Sequence, residues 1–336
     1  MILSRKKVES KINYYQYIQK GKEMYQNIKT SRLKEAITAI CLLTTTESIV
    51  AQNQNITFDT HISTGIQSMV ANEYVYYPPL NHTASQLIWD TDSLTMVGIG
   101  GSLHFQEKYT FNIEYTFSAN KADSKMTDYD WVLPGYDWTH RSIHKNTDVS
   151  SASTFDMSAE YTLSNKMISL LVGYREDRAT RKAYGGTFVY SDIENGGFRD
   201  QIGTAPNSLL GITYKQTWKS PYLGIKADAY FTNLLTLHTK FIYAPVVKGE
   251  AFDNHHLRDL TTVDTLDNTH MYAINLGLGY KLSNALTATL DYMYQKYDTT
   301  KGDTKWTERG EVRYLKNMSG ANLKVSRFSI SLSYKF

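Results

Sequence analysis

The chain has 336 residues, with 41% hydrophobic residues, 26 tyrosines and only 6 prolines. This composition favours strands with one apolar face and aromatic girdles over a soluble α/β core. The formal net charge of +3 comes from the first 51 residues, because the remainder holds 27 basic and 29 acidic residues. The overall basic charge therefore gives no indication of nucleic-acid binding.

The amino-terminal segment has the pattern of an export signal. An apolar run at 36–43 follows several basic residues, is too short to span a bilayer and is followed by small residues that end at Ala51. We interpret residues 1–51 as a basic preamble and signal peptide that is removed before Gln52, with Met24 as an alternative start. The single cysteine, Cys41, lies in this segment, so the mature chain would have no disulfide.

After residue 51 no stretch is long and apolar enough for a transmembrane helix, but polar and apolar residues alternate repeatedly. In the last ten residues Phe328, Ile330, Leu332, Tyr334 and Phe336 would share one face of a strand. Ten such runs predict an all-β fold, a ten-stranded antiparallel transmembrane β-barrel that projects above the outer membrane. The predicted strands are 55–76, 84–104, 108–127, 150–163, 167–190, 208–231, 235–250, 269–281, 286–298 and 321–336.

The predicted connections differ in length between the two ends of the barrel. With both termini in the periplasm, the short turns at 105–107, 164–166, 232–234 and 282–285 are periplasmic. The extracellular segments are then 77–83, 128–149, 191–207, 251–268 and 299–320. Several strands exceed the roughly 9–11 residues that a tilted membrane strand needs, so function is expected on a projecting extracellular end. Pro221 lies inside the sixth strand, where it requires a bulge or a position without a ladder hydrogen bond.

Two polar pairs with a spacing of two occur at this end. Asp128 and Asp130 end the third predicted strand, and Asp253 and His255 follow the seventh. Residues i and i+2 share a face of a strand, so each pair could point into the barrel mouth and hold a water between them. Taken alone, either pair could equally be a solvated turn or a loose cation site. A metal site that includes His256 is disfavoured, because adjacent histidines on an extended segment point opposite ways.

Residues from about 55 to 336 resemble the omptins, the ten-stranded outer-membrane proteases of enteric bacteria. The resemblance rests on motifs that occur in the same order along the chain. These are 126–131 (MTDYDW), 138–144 (WTHRSIH), 173–178 (GYREDR), 184–191 (YGGTFVYS), 197–203 (GFRDQIG) and 214–216 (YKQ). We therefore interpret residues 52–336 as one omptin-like β-barrel protease domain.

The resemblance implies a catalytic set of Asp128, Asp130, Asp253 and His255 that activates a water. In this set His255 is the best general base at neutral pH, and Asp253 would orient it and stabilise its imidazolium form. Asp128 would position the water from the opposite side. Asp130, close to a like charge, could hold a proton or stabilise the transition state. The sequence does not decide how the carboxylates divide these tasks.

Ser142 and His144 also match a family pattern beside the active site, which implies supporting roles. A Ser-His nucleophile is the alternative interpretation of these two residues. It is disfavoured because no separate oxyanion motif accompanies them.

Glu73 matches the family's acidic residue that receives a basic side chain before the scissile bond. A shielded carboxylate favours Arg or Lys through a charge-assisted hydrogen bond, whereas the ordinary alternative is a solvated glutamate at a strand end. The family often has a second acidic residue two positions before Asp253, but this position is Ala251 here. The preference for basic residues is therefore expected to be weaker or altered.

The resemblance also implies lipopolysaccharide as an activating lipid on the outer wall of the barrel, with no other cofactor and no metal. Tyr174, Glu176 and Arg178 match the lipid site at a spacing of two. Two of its basic positions are occupied by Thr217 and Asp267 instead.

The sequence thus predicts an aspartyl-type outer-membrane endopeptidase with a water nucleophile and an active site on the extracellular side. Its expected partners are peptides or proteins with Arg or Lys, lipopolysaccharide and the outer membrane, and not nucleic acid. The alternative from another class is a non-enzymatic surface adhesin or invasin on the same barrel. The presence of all four catalytic side chains favours the enzyme.

Overall fold

The computed structural model of the protein describes residues 56–164 and 166–336, apart from the side chains of residues 267 and 268. The predicted preamble, signal peptide and cleavage site at 1–51 lie outside the described residues. The described part of the chain has no helix with the length and apolar character needed to cross a membrane.

The described residues form eleven β-strands and two 3₁₀ helices, Pro78–Leu80 and Ile193–Asn195. The strands are β1 (Ile56–Tyr77), β2 (His82–Phe105), β3 (Tyr109–Ser118), β4 (Ala122–Asp130), β5 (His140–Thr162), β6 (Ile168–Tyr190), β7 (Gln201–Tyr230), β8 (Leu235–His255), β9 (Leu260–Lys281), β10 (Leu286–Glu308) and β11 (Glu311–Lys335).

All of these strands pair in antiparallel fashion in one sheet, and β1 pairs with both β2 and β11, so the sheet closes into a barrel. The count of ten strands needs a small correction, because the predicted third strand is two segments, β3 and β4, that both lie between β2 and β5. Between Ser118 and Ser124 this segment has one residue more than the facing part of β2, which interrupts the ladder. The barrel therefore has ten positions around its circumference and eleven strands.

An outward-facing apolar band surrounds one half of the barrel. As predicted, Phe328, Ile330, Leu332 and Tyr334 of β11 are exposed, and similar side chains on the other strands continue the band. Such a band is the lipid-facing surface of an outer-membrane barrel. Opposite Pro221 of β7, the register with β8 shifts between Lys219 and Leu223, so the bulge required by the proline is present.

Beyond the apolar band the strands continue much further than the sequence predicted, and we call this end of the barrel the rim. The predicted segment 299–320 is mostly strand, since β10 and β11 pair as far as Glu308 and Glu311. Only Arg309 and Gly310, both with positive φ, form the turn. The predicted segments 128–149, 191–207 and 251–268 are likewise shortened by strands at one or both ends. These strand ends lack an apolar face towards lipid, so the alternation that marks a membrane strand is absent there.

Within the membrane-spanning half, buried polar side chains form a network across the barrel interior, which we call the polar belt. An ion pair joins Arg175 Nε to Asp156 Oδ2 at 3.0 Å. Arg175 also donates to Gln295 at 3.1 Å, and Gln295 donates to Asp177 at 2.7 Å. The belt comprises Asp156, Arg175, Asp177, Tyr222, Gln295 and Tyr297, all of them buried.

A layer of aromatic and apolar side chains lies between the polar belt and the rim. Trp89 stacks on Tyr214 with ring centroids 5.6 Å apart, and Trp218 stacks at 4.8 Å on the ring of Tyr297, whose hydroxyl belongs to the polar belt below. All four rings are fully buried. This layer is the floor beneath the cavity at the rim, where the candidate site lies.

Candidate active site

A cavity of about 830 Å³ opens at the rim, bounded by strands from opposite sides of the barrel. All six residues that the sequence predicted for catalysis and its support line this cavity, and so does the predicted substrate-binding residue Glu73. They come from β1, β4, β5 and β8, which are far apart in the sequence and are brought together only by barrel closure. The lining residues predicted from the sequence are Glu73, Asp128, Asp130, Ser142, His144, Asp253 and His255.

The Asp253–His255 pair lies at the end of β8. The two residues share the inward face of the strand, and Nε2 of His255 lies 2.5 Å from Oδ2 of Asp253. The Asp253 side chain is 2% exposed and that of His255 is 21% exposed. The carboxylate is thus held inside the wall while the ring reaches into the cavity. If Nε2 carries the proton shared with Asp253, Nδ1 is free to accept another.

The Asp128–Asp130 pair lies at the end of β4. Burial is the largest cause that raises the pKa of Asp128 well above its ordinary value, followed by the charge of Asp130. Burial also raises the pKa of Asp130. The hydroxyl of Ser85, on β2, donates to Oδ1 of Asp128 at 3.2 Å and partly opposes both shifts. Two neighbouring carboxyl groups in this environment favour a state that retains a proton.

The two pairs act on each other across the cavity. The charge of Asp253 contributes to the raised pKa of Asp128, whereas the charge of His255 lowers the pKa of Asp130. An imidazole on one side and a carboxyl pair on the other are groups that can accept and donate protons around a bound water.

The Ser142–His144 pair lies at the start of β5, next to the carboxyl pair, because Ser142 is the cross-strand neighbour of Asp128. The Ser142 hydroxyl and Nε2 of His144 are 2.9 Å apart. Burial lowers the pKa of His144, which keeps this ring neutral at neutral pH. Gly186 permits the ring to sit here, because its φ is +110° and a Cβ there would lie 2.9 Å from Nδ1 of His144.

Glu73, on β1, is only 5% exposed and lies deeper in the cavity wall than a solvated strand-end glutamate would. Burial is the main cause that raises its pKa well above the ordinary value, and Asp253, Asp264 and Asp128 raise it further. Its Oε2 has no hydrogen-bond partner among the described residues. A hydrogen bond from Trp89 partly opposes this rise in pKa, and the charge of Glu73 also acts on the buried Arg181. A buried carboxylate with one unpartnered oxygen is suited to bind a cationic group.

Three further residues of the site were missed by the sequence interpretation. Asp264 of β9 is buried against the cavity, Arg258 in the turn after β8 lowers the pKa of both Asp128 and Asp130, and Ser85 bonds to Asp128. Asp264 and Arg258 fall in the segment 251–268, which was predicted to be a loop. The alternation of Thr262, Asp264 and Leu266 as inward residues is the signal that could have revealed Asp264.

Among the described residues, no group of three or more His, Cys, Asp or Glu side chains has an arrangement that could hold a metal ion.

The residues predicted to bind lipopolysaccharide lie apart from the cavity, on the outer face of β6. Tyr174 donates to Glu176 at 3.0 Å, and Arg178 pairs with the same carboxylate. Thr217 of β7 is the cross-strand neighbour of Arg178. Nearby, Lys219 pairs with Glu250 at 2.8 Å. The side chain of Asp267 lies outside the described residues.

Comparison with known proteins agrees with this architecture. The omptin family model matches residues 53–336. The chain is 27% identical to outer membrane protease OmpP of Escherichia coli over 284 residues, which cover 82% of this chain and 89% of OmpP. It is 27% identical to the plasminogen activator of Yersinia pestis over 286 residues, with 83% and 89% covered.

The fold is also similar to a solved structure, that of outer membrane protease OmpT from Escherichia coli. The two structures superpose with a TM-score of 0.78 at 25% sequence identity, covering 83% of this chain and 97% of OmpT. Because the family match extends over the whole barrel, the chain belongs to the omptin family and is an outer-membrane protease.

Proposed function

We propose that the protein is an endopeptidase in which His255 and Asp253 on one side of the rim cavity, and Asp128 and Asp130 on the other, activate a water. The observation that carries this proposal is the contact between His255 and Asp253 in a cavity lined on its far side by the carboxyl pair. Two such pairs can hold a water against a bound peptide without a covalent intermediate.

In the first step Nδ1 of His255 accepts a proton from the water as its oxygen attacks the scissile carbonyl carbon. Asp253 stabilises the imidazolium that forms, because its carboxylate contacts the other ring nitrogen. The proton then passes from His255 to the amide nitrogen as the carbon–nitrogen bond breaks. The net reaction adds one water across the peptide bond and leaves His255 neutral again.

The carboxyl pair acts from the opposite side of the cavity. Because burial raises the pKa of both Asp128 and Asp130, one member of the pair can retain a proton and donate a hydrogen bond to the developing oxyanion. The ionised member helps to hold the water. Ser85 fixes the pair through its hydrogen bond to Asp128.

We further propose that the substrate residue before the scissile bond is basic and binds to Glu73. A guanidinium or ammonium group would supply the partner that Oε2 of the buried Glu73 carboxylate lacks among the described residues. We also assign the cavity to the extracellular side of the membrane and lipopolysaccharide to the outer face at Tyr174, Glu176 and Arg178. Three outward polar side chains at alternating positions support this lipid site.

The test uses the purified barrel, refolded in detergent with lipopolysaccharide, and a fluorogenic peptide that contains paired Arg and Lys residues. We expect cleavage beside a basic residue by the native sequence, and loss of turnover in Asp128→Ala and His255→Ala variants that still fold. Equal cleavage by His255→Ala would remove the proposed base. Failure to cleave any member of a random peptide library, with binding to host cells intact, would favour the adhesin alternative.

A further inference from the structure

Asp264 is a buried acidic residue on β9 that has no role in the proposed activation of water. It is 4% exposed, faces the rim cavity, and its Oδ1 has no hydrogen-bond partner among the described residues. Burial raises its pKa to about 6, with a further contribution from Asp253, although the hydroxyls of Thr304 and Ser319 partly oppose the rise. A carboxyl group whose burial is only partly compensated destabilises the folded protein, which points to a functional reason for it.

Asp264 and Glu73 lie close enough to interact. The charge of Asp264 is one of the causes that raise the pKa of Glu73, and both side chains line the same cavity. Each has one buried oxygen without a partner among the described residues. The cavity wall therefore contains two carboxyl groups that a single cation can satisfy together.

The position of Asp264 in the sheet is informative. Its direct cross-strand neighbour on β8 is Ala251, and both side chains face inward. Ala251 is two residues before Asp253, on the same face of β8. The inward position of β8 next to the catalytic pair is thus occupied by the methyl group of Ala251. The carboxylate beside it belongs to Asp264 on the neighbouring strand β9.

We propose that Asp264 is a specificity-determining residue, which joins Glu73 in binding the guanidinium group of an arginine before the scissile bond. This inference rests on the proposed function and adds to it a preference between the two basic residues. A planar guanidinium can donate to two separated carboxylates at once, whereas an ammonium is a single compact charge. Arginine substrates should therefore gain more from Asp264 than lysine substrates do.

The experiment compares three peptides that differ only in the residue before the cleaved bond, which is arginine, lysine or the uncharged isostere citrulline. For Asp264→Asn we expect kcat/KM to fall roughly 10- to 100-fold on the arginine peptide, mainly through KM. A smaller fall is expected on the lysine peptide and none on the citrulline peptide. The double variant Ala251→Asp/Asp264→Ala moves the carboxylate from β9 to the neighbouring position on β8. This variant should recover most of the arginine preference.

The matched control is Asp303→Asn, the same substitution on the neighbouring strand β10 at an outward, exposed position. It should leave all three kcat/KM values unchanged. An arginine-to-citrulline ratio in Asp264→Asn equal to that of the native sequence overturns the proposal.

A binding measurement separates this inference from the proposed catalysis. N-acetyl-arginine amide and its citrulline counterpart are titrated against the barrel, with the fluorescence of Trp89 beside the pocket among the signals. Weaker binding of the arginine amide to Asp264→Asn supports the proposal even if catalysis requires a different base. Equal binding to both proteins overturns it even if peptides are cleaved as expected.

Discussion

His255 and Asp253 are in direct contact, with Nε2 of the imidazole 2.5 Å from Oδ2 of the carboxylate. Both belong to the end of β8, where the alternation of the strand turns them inward while the intervening Asn254 and the following His256 point elsewhere. The barrel wall thus fixes the position of the Asp253 carboxylate, and the carboxylate fixes the orientation of the His255 ring. This arrangement makes the chemistry of the site testable one residue at a time.

Replacing His255 with alanine should reduce kcat by about 10²- to 10⁴-fold, which is the usual contribution of a general base. The matched control is His256→Ala, because this exposed neighbour bonds to Thr213 at 2.9 Å and lies outside the cavity lining. The measurement is turnover of the fluorogenic peptide, with barrel folding checked by electrophoretic mobility. Equal losses in the two variants would mean that the segment, and not the base, matters.

Replacing Ser142 with alanine distinguishes the water mechanism from a Ser-His nucleophile. The hydroxyl lies 2.9 Å from Nε2 of a neutral His144, a geometry that either mechanism could use. If Ser142 only supports the neighbouring carboxyl pair, kcat should fall by no more than about tenfold, the effect of one neutral hydrogen bond. A loss as large as that of His255→Ala would contradict the water mechanism and favour a serine nucleophile.

The stability of the barrel should depend on pH through Asp264. The pKa of Asp264 is raised from 3.8 to about 6 in the folded state, so between these pH values the native protein binds more protons than the unfolded chain. The free energy of unfolding therefore decreases as pH rises from 3.8 to about 6. The total decrease is up to about 3 kcal/mol. Asp264→Asn should raise the urea midpoint at neutral pH and lose this advantage below the ordinary pKa of 3.8. A difference that is independent of pH would refute the assignment of the burial cost to this carboxylate.

The lipid-binding hypothesis is tested by Arg178→Ala. The Arg178 side chain is exposed, so loss of its pair with Glu176 should change the free energy of unfolding by no more than about 1 kcal/mol. Activation should nevertheless require more lipopolysaccharide, because a cation of the outer wall is removed. The control is Lys166→Ala, which removes the exposed pair with Glu107 at the opposite end of the barrel. A lipopolysaccharide titration that is the same for both variants would show that the site lies elsewhere.

The membrane half of the fold could be predicted from the sequence because lipid imposes a strict alternation there. Residues such as Phe328 and Ile330 alternate with lumen-facing polar residues and mark the strand without ambiguity. At the rim both faces of the strands carry polar groups, so Asp303 and Thr304 of β10 were predicted to lie in a loop. The strands were therefore predicted to end too early at the rim. The short turn at Arg309 and Gly310 was not separated from the long loop predicted at 299–320.

The candidate site was predictable in part for the same reason. A spacing of two correctly indicated that Asp253 and His255 share a face, since that depends only on local strand geometry. Which strand faces β8 across the cavity depends on barrel closure, and only the family resemblance could supply it. Asp264 was missed because the alternation of Thr262, Asp264 and Leu266 falls in the segment 251–268, which was predicted to be a loop. Its importance comes from its burial and from the alanine beside it on β8.

The polar belt beneath the aromatic floor gives the molecule a property that its cavity alone would not have. Arg175, Asp156, Asp177 and Gln295 cross the interior as groups that are bonded to one another, and Trp89 and Tyr214 stack at the level above. The chamber at the rim is thus separated from the interior of the membrane half by bonded and stacked side chains. A peptide bound at the rim therefore rests on aromatic rings that are themselves supported from below.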